Sequence, residues 1–260
     1  MLHRQEPTAL VVISQPAHAW ISGCIARAWG NEHFGTFAPQ QEVCLGAEQH
    51  DIGWLLWETM PTLNPKTGYP HNFMEVPTEV HLGIWSNAKQ LALSFGRYVT
   101  LLVSLHGTGL YERFRSWQNS PKLSELVEAF LKQEKAFQAQ LIDKLQHDPN
   151  YAPYVTPEVI ERNRSLVAIW DAFSLAVCMR RREQQFDRVP TASGETKLTL
   201  TLLDDESNQI EVSPWPFQQN EVKLVFEGRM LQDKFTDETA MRDALESAEW
   251  VTITTILTKG

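Results

Sequence analysis

The 260-residue chain is 43% hydrophobic and 21% charged, the balance of an ordinary soluble protein with one sizeable core or two modest ones. A formal net charge of −9 and a pI near 5.4 argue against nucleic acid or an anionic membrane as partner. They leave a phosphorylated substrate open, because metal ions can supply positive charge locally. No apolar run approaches the ~20 residues of a transmembrane helix, and the apolar stretch in MLHRQEPTALVVISQP is too short for a signal sequence. Cys24, Cys44 and Cys178 are odd in number, far apart and form no CxxC, the pattern of reduced thiols in a cytoplasmic protein.

In chain order, residues 15–30 predict a helix with Ser14 as N-cap, Pro16 in its first turn and Gly30 just past its end. A second helical stretch covers 39–59 and stops at Pro61 and the turn-rich loop TLNPKTGYPHNF. Thr78 is placed to cap a third helix over 79–93; a fourth covers 95–117, a fifth 122–146 and a sixth 157–184. The first 190 residues therefore read as almost entirely helical. Beyond Pro190–Gly194 the period changes to two: KLTLTLL at 197–203, VKLVFEGRML at 222–231 and WVTITTIL at 250–257 predict strands, with a short helix in DETAMRDALESA. The expected fold is mainly α, a helical domain over 1–190 followed by a small strand-rich α+β extension over 191–260.

Each strong helix carries a polar residue where its pattern calls for core. His50 has Gly46, Ala47, Gly53 and Trp54 one turn away, so small neighbours leave room around the imidazole. Asp51 sits among Ala47, Trp54 and Leu55, and His106 among Leu102, Val103, Gly109 and Leu110. Asp171 shares a face with Val167, Ser174, Leu175 and Cys178. His81 precedes Ile84 and Trp85 by one turn, and His18 precedes Ile21 and Ser22. A buried carboxylate needs a partner or a metal. Arg164, two turns before Asp171, is the ordinary partner; imidazoles and carboxylates gathered from five helices suit Mn, Fe or Zn. Adjacent helical residues point about 100° apart, so Asp51 can bridge two ions while His50 binds one.

The ordered series His18, His50–Asp51, His81, His106, Asp171 resembles the HD-domain superfamily of metal-dependent phosphohydrolases, in its longer H…HD…H…H…D form. The resemblance covers about residues 10–185 and implies an HD-domain-like helical bundle holding two divalent transition metal ions, Mn or Fe first, with Zn, Ni or Mg as alternatives. It implies that His18, His50, Asp51 and Asp171 bind one ion, and that Asp51 bridges to a second held by His81 and His106. The overall text, with HDIGW followed by WE, SLHGTGLY and PWPF, is also similar to an uncharacterised bacterial family, domain of unknown function 3891.

The chemistry so implied is attack by a metal-activated water on the phosphate ester of a nucleotide or small metabolite, with Asp51 and Arg164 as catalytic residues. Many HD enzymes carry a lysine three residues after the HD aspartate; here Trp54 stands there, so a cation must come from Arg97, Arg162 or Arg164, of which Arg164 is best placed. Two other functions remain open: a di-iron oxygenase of the HD type, and a non-catalytic metal-binding or sensing scaffold. His71 is a candidate lid residue or proton donor, and Glu58 a candidate acceptor that orients a ligand. Trp20, Trp54, Trp57 and Trp85 would give aromatic walls to a pocket or fill core. With no GxSxG and no phosphate-binding glycine loop, serine-hydrolase and ATP-dependent chemistry are disfavoured. Exposed strand edges in the extension leave a homodimer open.

Overall fold

Ser14 opens the first helix as its sequence demands: its hydroxyl accepts the Ala17 N–H at 3.1 Å, Pro16 occupies the first turn, and α1 runs Gln15–Ala28. The computed structural model describes residues 1–204 and 208–260. The predicted helix over 39–59 is divided into α2 (Gln40–Gln49) and α3 (Trp54–Glu58). Between them the N–H groups of Ile52 and Trp54 bond three residues back, to Gln49 and Asp51, which tightens the chain into a turn. Gly53 lets α4 (Thr78–Ala92) approach this turn closely: a Cβ there would lie 2.4 Å from the Ile84 carbonyl oxygen. His50 and Asp51 thus stand on the turn rather than inside a helix.

Thr78 is the first residue of α4, and Pro77 occupies the cap position without a side-chain cap. Then follow α5 (Arg97–Arg113), α6 (Pro121–Gln146) and α7 (Pro157–Cys178), the last two capped by Ser120 and Thr156 with proline in the first turn. The sixth predicted helix ends early, because its tail enters a strand.

The mainly α, all-helical expectation is corrected here. About half the chain is helical, but a seven-stranded sheet makes this a mixed α/β fold. Its strands are β1 (Leu2–Gln5), β2 (Leu10–Ile13), β5 (Glu183–Pro190), β6 (Glu195–Leu202), β7 (Gln209–Ser213), β8 (Glu221–Leu231) and β9 (Trp250–Lys259), in the order β1-β2-β8-β9-β7-β6-β5. Only β7 and β9 pair in parallel. A hairpin of β3 (Leu63–Asn64) and β4 (Tyr69–Pro70) stands apart from it, and α8 (Glu238–Ser247) lies between β8 and β9 in sequence. The predicted strands β6, β8 and β9 and the helix α8 are all present. The strands that sequence missed are short or irregular: all four residues of β2 are buried, so no period-two alternation marks them, and β5 carries a register shift between Phe186 and Val189. The sheet draws strands from both sides of the Pro190–Gly194 join.

One core joins this sheet to the helices. Trp29, Trp170 and Phe173 pack with Phe186, Leu198, Leu200, Val212 and Phe217, and Phe173 stacks on Phe186 at 6.0 Å with an 8° interplanar angle. Helix α7 rests on β5 and α1 on β8, which locks two of the helices bearing the polar cluster against the sheet. No helix among the described residues is long and apolar enough to cross a membrane.

Candidate metal centre

Helices α1, α2, α5 and α7 pack on one another, and from their contact surfaces five predicted side chains converge. His18 (α1), His50 and Asp51 (the turn after α2), His106 (α5) and Asp171 (α7) are all at most 8% exposed. His18 Nε2 lies 2.8 Å from Asp51 Oδ2 and 3.7 Å from Asp171 Oδ1. His50 Nε2 lies 3.4 Å from Asp171 Oδ1 and 3.6 Å from Asp51 Oδ2, and His106 Nε2 lies 3.8 Å from Asp171 Oδ2. Two triads share His50: one with His18 and Asp51, the other with His106 and Asp171, with the ligand atoms of each within 4.8 Å of one another.

The hydrogen bonds behind these atoms set which nitrogen faces the cluster. The Ala47 carbonyl accepts His50 Nδ1–H at 2.7 Å, leaving the buried Nε2 as a lone pair with no hydrogen-bond partner. Ser174 Oγ donates to the Asp171 carbonyl at 2.8 Å, so it accepts from His18 Nδ1–H at 2.7 Å and from Ser22 Oγ at 2.9 Å. His18 Nε2 meets Asp51 Oδ2 at 2.8 Å, a hydrogen bond when that nitrogen carries a proton and a pair of facing acceptors when it does not. Electron pairs gathered in a buried space repel unless a proton or a cation lies among them. Outer hydrogen bonds that hold imidazoles in this tautomer are the usual support of a metal site. The donor set fits a divalent transition ion.

Without an ion, protons take up part of that role. Burial works against a charge on His50, but Asp51 and then Asp171 outweigh it and raise the imidazole to about 9. For Asp51, burial opposes ionisation, and the neighbouring His50 and His18 overcome it to hold the carboxyl below its usual range. Asp171 is likewise held low, by its contact with His50 and the nearby His106 and His18 against the cost of burial. Burial, reinforced by the charge on His50, depresses His106 to about 4.

His81 is not gathered into either triad. Its Nε2 accepts the Trp85 indole N–H at 3.1 Å, and its Nδ1–H donates to Tyr111 Oη at 2.7 Å, so both nitrogens are used. It remains a neighbour, since its ring lies 5.4 Å from Trp54 and feels the charge of Asp51. Arg164 pairs with Glu112 at 3.2 Å, not with Asp171, and lines a cleft of about 310 Å³ whose wall includes His106 and Asp171. Arg97 pairs with Asp148, and Arg162 bonds the carbonyls of Phe34, Thr36 and Thr191; both serve the scaffold. Glu58 accepts from the Gln15 N–H at the start of α1, and His71 bonds Thr62 in its own hairpin. Trp54 and Trp85 are buried beside His81, whereas Trp20 is 47% exposed.

Sequence inspection passed over Ser22 and Ser174 as site residues. Their signal was present: each lies one turn from a proposed ligand, His18 and Asp171, on the same helix face.

Fold and site together define a mixed α/β protein with a buried histidine–aspartate cluster of metal-ligating character. The chain belongs to the family described as "Protein of unknown function (DUF3891)", whose profile matches residues 1–233. No curated protein and no solved structure matches the chain.

Proposed function

We propose that the protein is a metal-dependent hydrolase of the HD-domain type, acting on the phosphate ester of a nucleotide or small metabolite. The observation that carries this reading is the orphaned Nε2 of His50, buried between Asp51 and Asp171 with its other nitrogen tied to a backbone carbonyl. His18, His50, Asp51 and Asp171 would hold a divalent ion, with His106 beside them. Such an ion supplies acidity to a nearby water and charge neutralisation to phosphoryl oxygens. The chain's own residues do the rest. Ala47 and Ser174 hold the imidazoles in register, Asp51 would serve as an anionic ligand of the ion, and Arg164 stands at the cleft as a cation for the substrate. A second ion on His81 and His106 requires His81 Nε2 to give up the Trp85 N–H.

The test is elemental analysis of protein purified with and without oxygen, followed by assay of p-nitrophenyl phosphate. At least one equivalent of Mn or Fe, with Mn-dependent release of p-nitrophenol, is the expected result. A folded, metal-free protein that takes up no added Mn or Fe sinks the proposal. Substrate-dependent oxygen uptake with a mixed-valent iron signal, and no ester hydrolysis, would move it to the oxygenase chemistry of the same ligand type.

A further inference from the structure

The cleft that reaches His106 and Asp171 is bordered by three arginines: Arg113 at the end of α5, Arg164 on α7 and Arg188 on β5. They are not equally committed. Arg164 is shared between Glu112 at 3.2 Å and Glu161 at 3.7 Å, and Glu112 also holds Lys135 at 3.0 Å. Asp187 is 3.5 Å from Lys197. The side chains of Arg113 and Arg188 have no hydrogen bond or ion pair among the described residues. Glu195, on the neighbouring strand, is the acid left at the rim.

Arg188 stands out by its backbone. β5 pairs with β6 in one register up to Phe186 and Leu198, and in a register shifted by one from Val189 and Thr196. Asp187 and Arg188 therefore oppose the single residue Lys197, which is a β-bulge. The extra residue lets Phe186 and Val189 both turn into the core, and it throws Arg188 out over the cleft. Arg188 adopts φ +55°, a left-handed conformation that suits glycine or asparagine better than a long side chain. Packing alone accounts for the bulge. It does not account for an uncommitted arginine at the strained position, facing a cleft whose floor carries the candidate ligands.

The geometry points to Arg188 as the residue that seats the anionic group of the substrate, a phosphate monoester, at the mouth of the cleft, with Arg113 as its second donor. A guanidinium presents paired N–H groups that match phosphate oxygens, and an arginine without an internal carboxylate partner keeps that capacity for a ligand. The inference rests on the hydrolase reading for the substrate, but the anion subsite can be measured separately.

The test is calorimetric titration of inorganic phosphate into Mn-treated and EDTA-stripped protein, using wild type, Arg188→Ala and Arg188→Gly. Loss of one charge-assisted, bidentate contact weakens phosphate binding by about tenfold or more in both variants, with metal content unchanged. Arg188→Gly relieves the left-handed strain and should melt at or above the wild-type temperature, so weaker binding cannot be assigned to misfolding. Arg188-dependent binding that persists in protein unable to hold metal supports the subsite while removing the hydrolase reading. Phosphate binding equal in wild type and Arg188→Gly, or absent from metal-loaded wild type, overturns the inference.

Discussion

His50 and His81 are both imidazoles among apolar helices, and their surroundings treat them in opposite ways. At His50 a carbonyl takes one N–H, and the other nitrogen faces two carboxylates that draw a proton onto it when no cation is there. At His81 a tyrosine and a tryptophan use both nitrogens, and burial drives its pKa down to about 4. The same residue type thus keeps one nitrogen turned to carboxylates at His50 and has both nitrogens satisfied by neutral partners at His81. Ligand character is decided by what the second nitrogen is denied, because an imidazole whose two nitrogens are both hydrogen-bonded gains little from a cation.

The comparison breaks most sharply if the wrong side chain removes the metal. His50→Ala and Asp171→Ala are expected to abolish bound metal altogether, measured by elemental analysis on protein verified as folded by circular dichroism; retention of the full content in either would discard the site. Ser174→Ala comes next, since it releases the tautomer of His18 without touching a ligand: metal affinity should fall roughly 10–100-fold in a competitive chelator titration. For His81→Asn the first equivalent of metal should stay. A fall from two equivalents to one would instead show that His81 exchanges Trp85 for an ion.

The smallest effect concerns pH. His3, His81 and His106 are all depressed to about 4, His3 by burial and then by the nearby N-terminal charge, His81 by burial, and His106 by burial and then by His50. Unfolded, each of the three titrates near the ordinary 6.5. Below that value the unfolded chain takes up protons that the folded chain refuses, so their contribution is whole above about 6.5 and is lost as pH falls toward 4. Urea midpoints of the metal-stripped protein should therefore drop between pH 7 and pH 5. An equal midpoint at both would mean that these imidazoles are not held neutral.

Five of the six residues proposed as ligands meet in the fold, and each stood out in the sequence as a polar residue one turn from small and apolar ones, costly to bury without a partner. His81 satisfied the same rule; the indole four residues on, at Trp85, was the local hint that it already had a partner, but Tyr111 comes from another helix. The turn at His50–Gly53 was hidden for a similar reason. It contains no proline, and Gly53, where the Ile84 carbonyl of α4 leaves no room for a Cβ, stood in the sequence only as a small neighbour of His50. The sheet escaped notice where its strands were four residues long or bulged, as at β2 and β5.

Local patterning by itself determined the helix start at Ser14, the helices beginning near 122 and 157, and the strands β6, β8 and β9, since caps and periodicity act within a few residues. Only the tertiary structure decided that residues 2–13 complete the sheet, that His106 joins His50 and Asp171 rather than His81, and that Arg188 overlooks the cleft. Those outcomes depend on which surfaces meet across long stretches of chain, and a pattern confined to one element carries no record of the surface it will face.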